Sequence, residues 1–332
     1  MDNSVDTSHI AALDIGGTKI AAMVAGPEGP LARVTQATAK TGTPRALPEQ
    51  ALSLIELACE KAKIDPASLT TVGVASCGPF VYEQDLLCLS APNICGGGRS
   101  AADLPNDWEG IPLEQVLRER FNRVVIENDC VAALAAERAF GAVMGQRDCV
   151  YVTWSTGIGF GLCVDGHILR GKHGNAGHAG HMMISEREDA LCGCGNRGDV
   201  EGLISGRNIA NRLSMNAADV FNQARDGDPK AKAATLAAAR WLGRALYNVA
   251  VTLDTRTFVI GGSIWVHHGN WLEPFVQQEI DARLPALTRG VSILRAALGG
   301  VVADIGAMTL VIPDEWIANW RNTAPWQRLG AA

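Results

Sequence analysis

The segment from Ile10 to Ala25, IAALDIGGTKIAAMVA, is two short apolar runs around Gly16-Gly17-Thr18. This pattern predicts a β-hairpin. Residues 47–63 place apolar side chains at helical spacing, with Pro48 near the start. Thr71–Ala75 reads as a short buried strand closed by the turn signal Cys77-Gly78-Pro79. Residues 112–121 predict a helix, Arg123–Glu127 a buried strand, and Val131–Phe140 an alanine-rich helix. A second hairpin-like unit starts at Cys149, CVYVTWSTGIGFGLCVDGHIL, around Ser155-Thr156-Gly157-Ile158-Gly159. Beyond residue 200 the pattern is mostly helical. It is broken by the strand Thr257–Gly262, and a final helix is expected over residues 303–320. Residues 82–110, including Gly96-Gly97-Gly98, are irregular, and so long a loop is more often functional or mobile than inert. Strands alternating with helices give an α/β class, and no fixed-period repeat is present.

Composition narrows the classes. The 332 residues are 47% hydrophobic and 19% charged, a core-forming composition with room for two domains. Lys plus Arg number 29 against 35 acids, a net charge of -6, so no nucleic-acid partner is expected. The start, MDNSVDTSHI, lacks the basic and apolar regions of a signal peptide, and no apolar run is long enough to span a membrane. Nine scattered cysteines are not a secreted disulfide framework. The expectation is a cytoplasmic protein whose cysteines are core fillers or metal ligands.

Three strand-end turns carry candidate anion chemistry. Asp14-Ile15-Gly16-Gly17-Thr18-Lys19 bares main-chain N–H groups, with Thr18 and Lys19 as further donors and Asp14 as a carboxylate for hydrated Mg²⁺. It is neither a Walker A loop nor a dinucleotide fingerprint, and a plain type I′ turn explains it alone. Thr156-Gly157 and Gly261-Gly262 sit in the other two turns. Asp129 follows a strand and could act as a general base, although from local sequence its stronger reading is a helix N-cap. His181, Cys192, Cys194 and Asp199 offer four zinc ligands, with His173 and His178 as alternatives. Against this stands a buried reduced cysteine pair with Asp199 capping the next helix.

Taken together these pieces resemble the ROK family of sugar kinases. The residues that carry the likeness are Asp14 to Lys19, Asn128-Asp129, Ser155 to Gly159, Gly180-His181, Cys192 to Gly198, Ile260-Gly261-Gly262 and Asp304-Ile305-Gly306-Ala307, in order over residues 10–312. The resemblance implies an actin/hexokinase-like (ribonuclease H-like) two-lobed α/β fold with an interlobe cleft. The expected division is a small lobe over residues 1–130, rejoined by the C-terminal helix of 304–332, and a large lobe over 131–303 with the zinc loop. It implies ATP, Mg²⁺ and structural Zn²⁺, with phosphoryl transfer to a hydroxyl of a hexose such as glucose, expected to be the 6-hydroxyl. By matching position, Asp129 is the catalytic base, and Asn128, His181 and Glu201 contact sugar. The first two turns hold phosphates and Gly261-Gly262 lies on the adenosine side. A homodimer or homotetramer is implied as well.

Two departures stand out. The family's usual GExGH is Gly177-His178-Ala179-Gly180-His181 here, so an imidazole with one donor and one acceptor replaces a carboxylate at a sugar-binding position. That raises amino sugars, N-acetylhexosamines and cyclitols as alternative acceptors. Asp199 stands where the family's third cysteine would. The competing classes are a ROK-type repressor and a sugar-binding protein without catalysis. A repressor would need a helix-turn-helix module, for which about ten residues are too few. A non-catalytic binder would not need Asp129 and both phosphate turns.

Overall fold

The computed structural model describes residues 8–96, 108–187 and 189–331, so Gly97-Gly98 and the N-terminal heptapeptide lie outside the described residues. In chain order the first elements are β1 (Ile10–Ile15), β2 (Lys19–Gly26), β3 (Gly29–Ala37), α1 (Ala46–Ala62), β4 (Thr71–Ser76), β5 (Phe80–Glu83), β6 (Leu86–Leu89), α2 (Pro92–Cys95), α3 (Leu113–Arg118), β7 (Arg123–Asn128) and α4 (Asp129–Phe140). There follow β8 (Cys149–Trp154), β9 (Ile158–Val164), β10 (His167–Ile168), α5 (Val200–Ile204), α6 (Gly206–Leu213), α7 (Ala217–Asp226), α8 (Pro229–Leu253), β11 (Thr257–Gly261), α9 (Ser263–Asp281), α10 (Pro285–Thr288) and β12 (Ser292–Arg295). The chain closes with α11 (Val302–Thr309) and α12 (Asp314–Thr323).

Two compact units result. The first comprises residues 1–144, 170–175 and 300–332, and the second 145–169 and 176–299. The division falls after Met144 rather than at residue 130, because α4 packs on α11 and on the first sheet. Residues 170–175 group with the first unit through Asn175, whose side-chain amide accepts from Phe80 N at 2.8 Å and donates to Phe80 O at 2.7 Å.

The first unit is built on a sheet ordered β3-β2-β1-β4-β7, antiparallel through the first three strands and parallel from β1 onward. Leu13 and Ile15 project to one face, toward α1, whose buried stripe Leu47, Ala51, Leu54, Ile55 and Ala58 has helical spacing. Ala12 and Asp14 project to the other face. That face lies under α11: a Cβ on Gly73, the β4 neighbour of Ala12, would sit 2.2 Å from the Ala307 carbonyl oxygen.

The second unit repeats the plan with β10-β9-β8-β11-β12, again antiparallel on one side of β8 and parallel on the other. Its core gathers Trp154, Phe160, Phe221, Leu242, Phe258 and Trp265. The long α8 starts where the Asp228 carboxylate accepts from Ala231 N at 2.7 Å, with Pro229 at its first position, and ends at Asp254 in the left-handed region. Among the described residues no helix is long and apolar enough to cross a membrane.

Candidate active site

In the first unit, the expected hairpin forms with Ile15 opposite Ile20. Its turn is not type I′, since neither Gly16 nor Gly17 has positive φ. The glycines serve close approach instead: a Cβ on Gly17 would lie 2.1 Å from Asn93 Nδ2, and one on Gly16 would lie 3.1 Å from the Lys19 carbonyl oxygen. Thr38 pins the turn from β3's end, its hydroxyl donating to Gly16 O at 2.7 Å and its N–H to Thr18 O at 3.1 Å. Asn93, at the start of α2, is thereby placed on the turn.

Asp14, the last residue but one of β1, lies on the α11 face. Burial, then the charges of Asp304 and Asp129, push its carboxyl up to about 7, against the pull of Arg33 and Lys19. Asp129 opens α4 directly after β7. Asn128 takes the N-cap role foreseen for Asp129, its side chain accepting from Cys130 N at 3.0 Å, while Asp129 Oδ1 accepts from the same N–H at 2.8 Å. The Cys77 thiol near these carboxylates is pushed well above its ordinary range, by burial first and then by Asp129 and Asp14, so it stays protonated. Glu127, buried on β7, is ion-paired with Arg170.

The second unit gathers the remaining predicted residues. The turn Ser155-Thr156-Gly157 lies against the start of α6, where Gly206 N donates to Ser155 O at 2.9 Å and Arg207 N to Thr156 O at 3.1 Å. Gly262, at φ 86°, packs on the Trp154 backbone, which a Cβ there would approach to 2.5 Å. The turns at Thr156-Gly157 and Gly261-Gly262 therefore adjoin, at the ends of neighbouring strands β8 and β11. Gly180 is pressed onto β9, a Cβ there falling 2.4 Å from Ile158 O, and this places His178 and His181 with ring centroids 6.1 Å apart.

His181, Cys192, Cys194 and Asp199 converge so that their ligand atoms lie within 4.8 Å of one another. His181 Nδ1 is 3.2 Å from Asp199 Oδ2 and 3.7 Å from Cys192 Sγ, and Cys194 Sγ is 3.5 Å from Asp199 Oδ2. Tetrahedral zinc with bonds of about 2.0–2.3 Å holds its ligand atoms about 3.3–3.8 Å apart, so these three separations lie near that spacing and the donor types suit the ion. Asp199 Oδ1 meanwhile accepts from Gly202 N at 2.6 Å, so the residue does cap the helix while Oδ2 faces His181 and Cys194. Burial pushes Asp199 up, but hydrogen bonds from His181 and Gly202 N hold it below its ordinary value. The hydrogen bond to Asp199 raises His181 against the effect of burial. Glu201 links cage and turn: Oε1 faces Cys192 Sγ at 3.4 Å, and Oε2 lies 3.4 Å from Ile158 N.

Asn93 was not among the predicted site residues. Its only sequence signal is a polar side chain after Pro92 in an irregular stretch, and its placement on Gly17 is a tertiary fact.

The ROK family model matches residues 10–313. An N-acetylmannosamine kinase of Escherichia coli is 34% identical over 283 residues, covering 82% of this chain and 89% of that protein. A glucokinase of Streptomyces coelicolor is 31% identical over 300 residues, covering 78% and 88%. The crystal structure of a ROK glucokinase from Streptomyces griseus, in complex with glucose and AMPPNP, superposes with a TM-score of 0.66 at 27% identity, covering 91% of this chain and 99% of that one. These likenesses establish the actin-like two-lobed α/β fold class and kinase activity with ATP. The chain belongs to the ROK family and is a sugar kinase.

Proposed function

We propose that this kinase transfers the γ-phosphoryl group of ATP to the 6-hydroxyl of a hexose-type sugar, and that an N-acetylated amino sugar is its acceptor in preference to glucose. Asp129 is the base. The observation that carries this is its place at the junction of β7 and α4, where its charge reaches Asp14 beside the glycine turn. Phosphoryl transfer is mostly positioning and charge stabilisation, and the turn N–H groups with Thr18 and Lys19 supply donors for phosphate oxygens. Asp14 suits a divalent cation: a carboxyl burdened by burial and by two neighbouring carboxylates is relieved by one. Mg²⁺ bound there would neutralise phosphate charge. Asp129 takes the hydroxyl proton as the acceptor attacks. The zinc cage would be structural, fixing His181 beside Glu201, and both are assigned to the sugar along with Asn128 and His178.

His178 favours the amino sugar. Its imidazole presents one acceptor and one donor where a carboxylate would accept from two hydroxyls, and the N-acetylmannosamine kinase relative is 34% identical. The second reading, a glucokinase that tolerates His178, is supported by the 31% identical glucokinase.

The test is ADP release from Mg²⁺-ATP with N-acetylmannosamine, N-acetylglucosamine, mannose, glucose, 3-amino-3-deoxyglucose and a C7 cyclitol. Turnover should be highest with an N-acetylated sugar and fall about 10²- to 10⁴-fold in Asp129→Asn. His178→Glu should move preference toward glucose. Dominant glucose turnover would overturn the acceptor assignment, and an active Asp129→Asn would overturn the base.

A further inference from the structure

Asp304 has no part in the steps above, yet it lies over the site. Arg33 pairs with Met23 and Met23 with Ala12, so Arg33 projects to the same face of the sheet as Ala12 and Asp14. That face lies under α11, and Asp304 belongs to the first turn of this helix. It is 4% exposed. Its Oδ2 accepts from Arg33 Nε at 3.0 Å, and its buried Oδ1 has no hydrogen-bond partner among the described residues. A carboxylate oxygen held away from water without a donor marks a place for one. Glu127 offers a contrast. It shares a cross-strand row with Asp14 through Ala75, but Arg170 neutralises it. The carboxylates of Asp304 and Asp129 and the cations Arg33 and Lys19 all act on Asp14.

We propose that Asp304 is a positioning residue of the magnesium site, its free Oδ1 accepting a hydrogen bond from the hydration shell of a cation held by Asp14 while Arg33 fixes the carboxylate through Oδ2. This rests on the assignment of Asp14 to magnesium. Mg²⁺ keeps several waters and takes only one or two carboxylates directly, so acceptors for those waters decide how firmly it sits. An outer carboxylate anchored by an arginine is such an acceptor, and losing one of this kind lowers metal affinity about 10- to 100-fold.

The experiment is a Mn²⁺ titration of the full chain with ADP, read by the electron paramagnetic resonance signal of free Mn²⁺. It is run beside the Mg²⁺ dependence of turnover. The proteins are wild type, Asp14→Asn, Asp304→Asn and the double variant Arg33→Met/Asp304→Leu. The double variant guards against misfolding, since replacing a buried ion pair by apolar residues is often neutral or stabilising. If Asp304 serves the cation, Asp304→Asn and the double variant bind Mn²⁺ about tenfold more weakly. Their half-saturating Mg²⁺ rises in step, with an unchanged thermal midpoint for the double variant and an unchanged sugar KM. Wild-type Mn²⁺ binding in both, with binding lost in Asp14→Asn, would overturn the proposal and leave Asp304 a structural partner of Arg33. Wild-type binding in Asp14→Asn would instead overturn the assignment of Asp14, and the proposal with it.

Discussion

At the scale of single residues, Asp199 caps a helix with one oxygen and turns the other toward His181 and Cys194. Its two oxygens point to different tasks, one to the first turn of α5 and one into the cage with His181 and Cys194. Substitutions can separate them. Asn is as good an N-cap as Asp but carries no charge for a metal, whereas Cys is a strong zinc ligand and a poor cap. After dialysis of zinc-loaded protein against a chelator, Asp199→Asn should therefore retain less zinc than wild type and Asp199→Cys more. Equal metal content in all three would remove Asp199 from the ligand set. The same economy explains what local sequence concealed. Asn128 and Asp129 both precede an apolar helix, and pattern alone gives the cap to the aspartate. In the fold Asn128 is the N-cap residue and Asp129 the first residue of α4. Asp304 was legible only as part of the family-like segment Asp304 to Ala307, and Asn93 only as a polar residue after Pro92, because what makes each of them notable is contact with residues far away in sequence, Arg33 and Gly17.

At the scale of elements, legibility followed glycine. Both hairpins flanking Gly-rich turns were readable, as were α1, β4, α3, β7, α4 and β11 to within two or three residues at each end. The hairpin β5–β6 was read as irregular because its turn residues, Gln84 and Asp85, adopt positive φ without glycine. β3, β10 and β12 were missed as well. They are edge or near-edge strands with exposed positions and weak alternation. The single helix expected over residues 303–320 is two, α11 and α12, parted before Pro313, which lacks the N–H to continue a helix. Close packing of α11 on the sheet depends on Gly73, where a Cβ would meet the Ala307 carbonyl at 2.2 Å and Val311 at 3.0 Å. Gly73→Ala must push α11 outward, and overpacking of this kind costs about 1–3 kcal/mol. Chemical denaturation should show that loss together with a lower kcat, since α11 also packs on α4, which begins at Asp129. Gly300→Ala, with nothing within 4 Å, is the matched control. A Gly73→Ala variant as stable as that control would show that the contact relaxes without strain.

At the scale of the whole molecule, two sheets of one plan underlie the paired hairpins visible in the sequence, and the first unit carries an addition to that plan. The ROK match ends at residue 313, and α12 with the following turn lies beyond it. This segment packs on the first unit at two places. Trp320 Nε1 donates to Pro27 O at 3.0 Å and Asn319 Nδ2 to the same carbonyl at 2.9 Å, tying down the β2–β3 turn. Arg321 Nε donates to Ala139 O at 2.8 Å at the end of α4, where Phe140 contacts Trp320 and Trp326 at centroid distances of 6.0 and 5.1 Å. Trp316, Trp320 and Trp326 are all buried, so the tryptophans of this segment belong to the core. Replacing a buried tryptophan by alanine removes about 3–5 kcal/mol, and Trp320→Ala also removes one of the two donors to the Pro27 carbonyl. A chain ending at Pro313 loses all three. Hydrogen exchange should then accelerate in β2, β3 and the last turn of α4, where the segment's contacts lie, while the β8, β9 and β11 amides of the second unit keep wild-type protection. Trp320→Ala should show the same pattern more weakly. Exchange unchanged in β2 and β3 would mean that the family's own framework already holds these elements and that the C-terminal segment adds no stability. Acceleration spread equally over both units would mean that its loss is felt through global unfolding instead of local release.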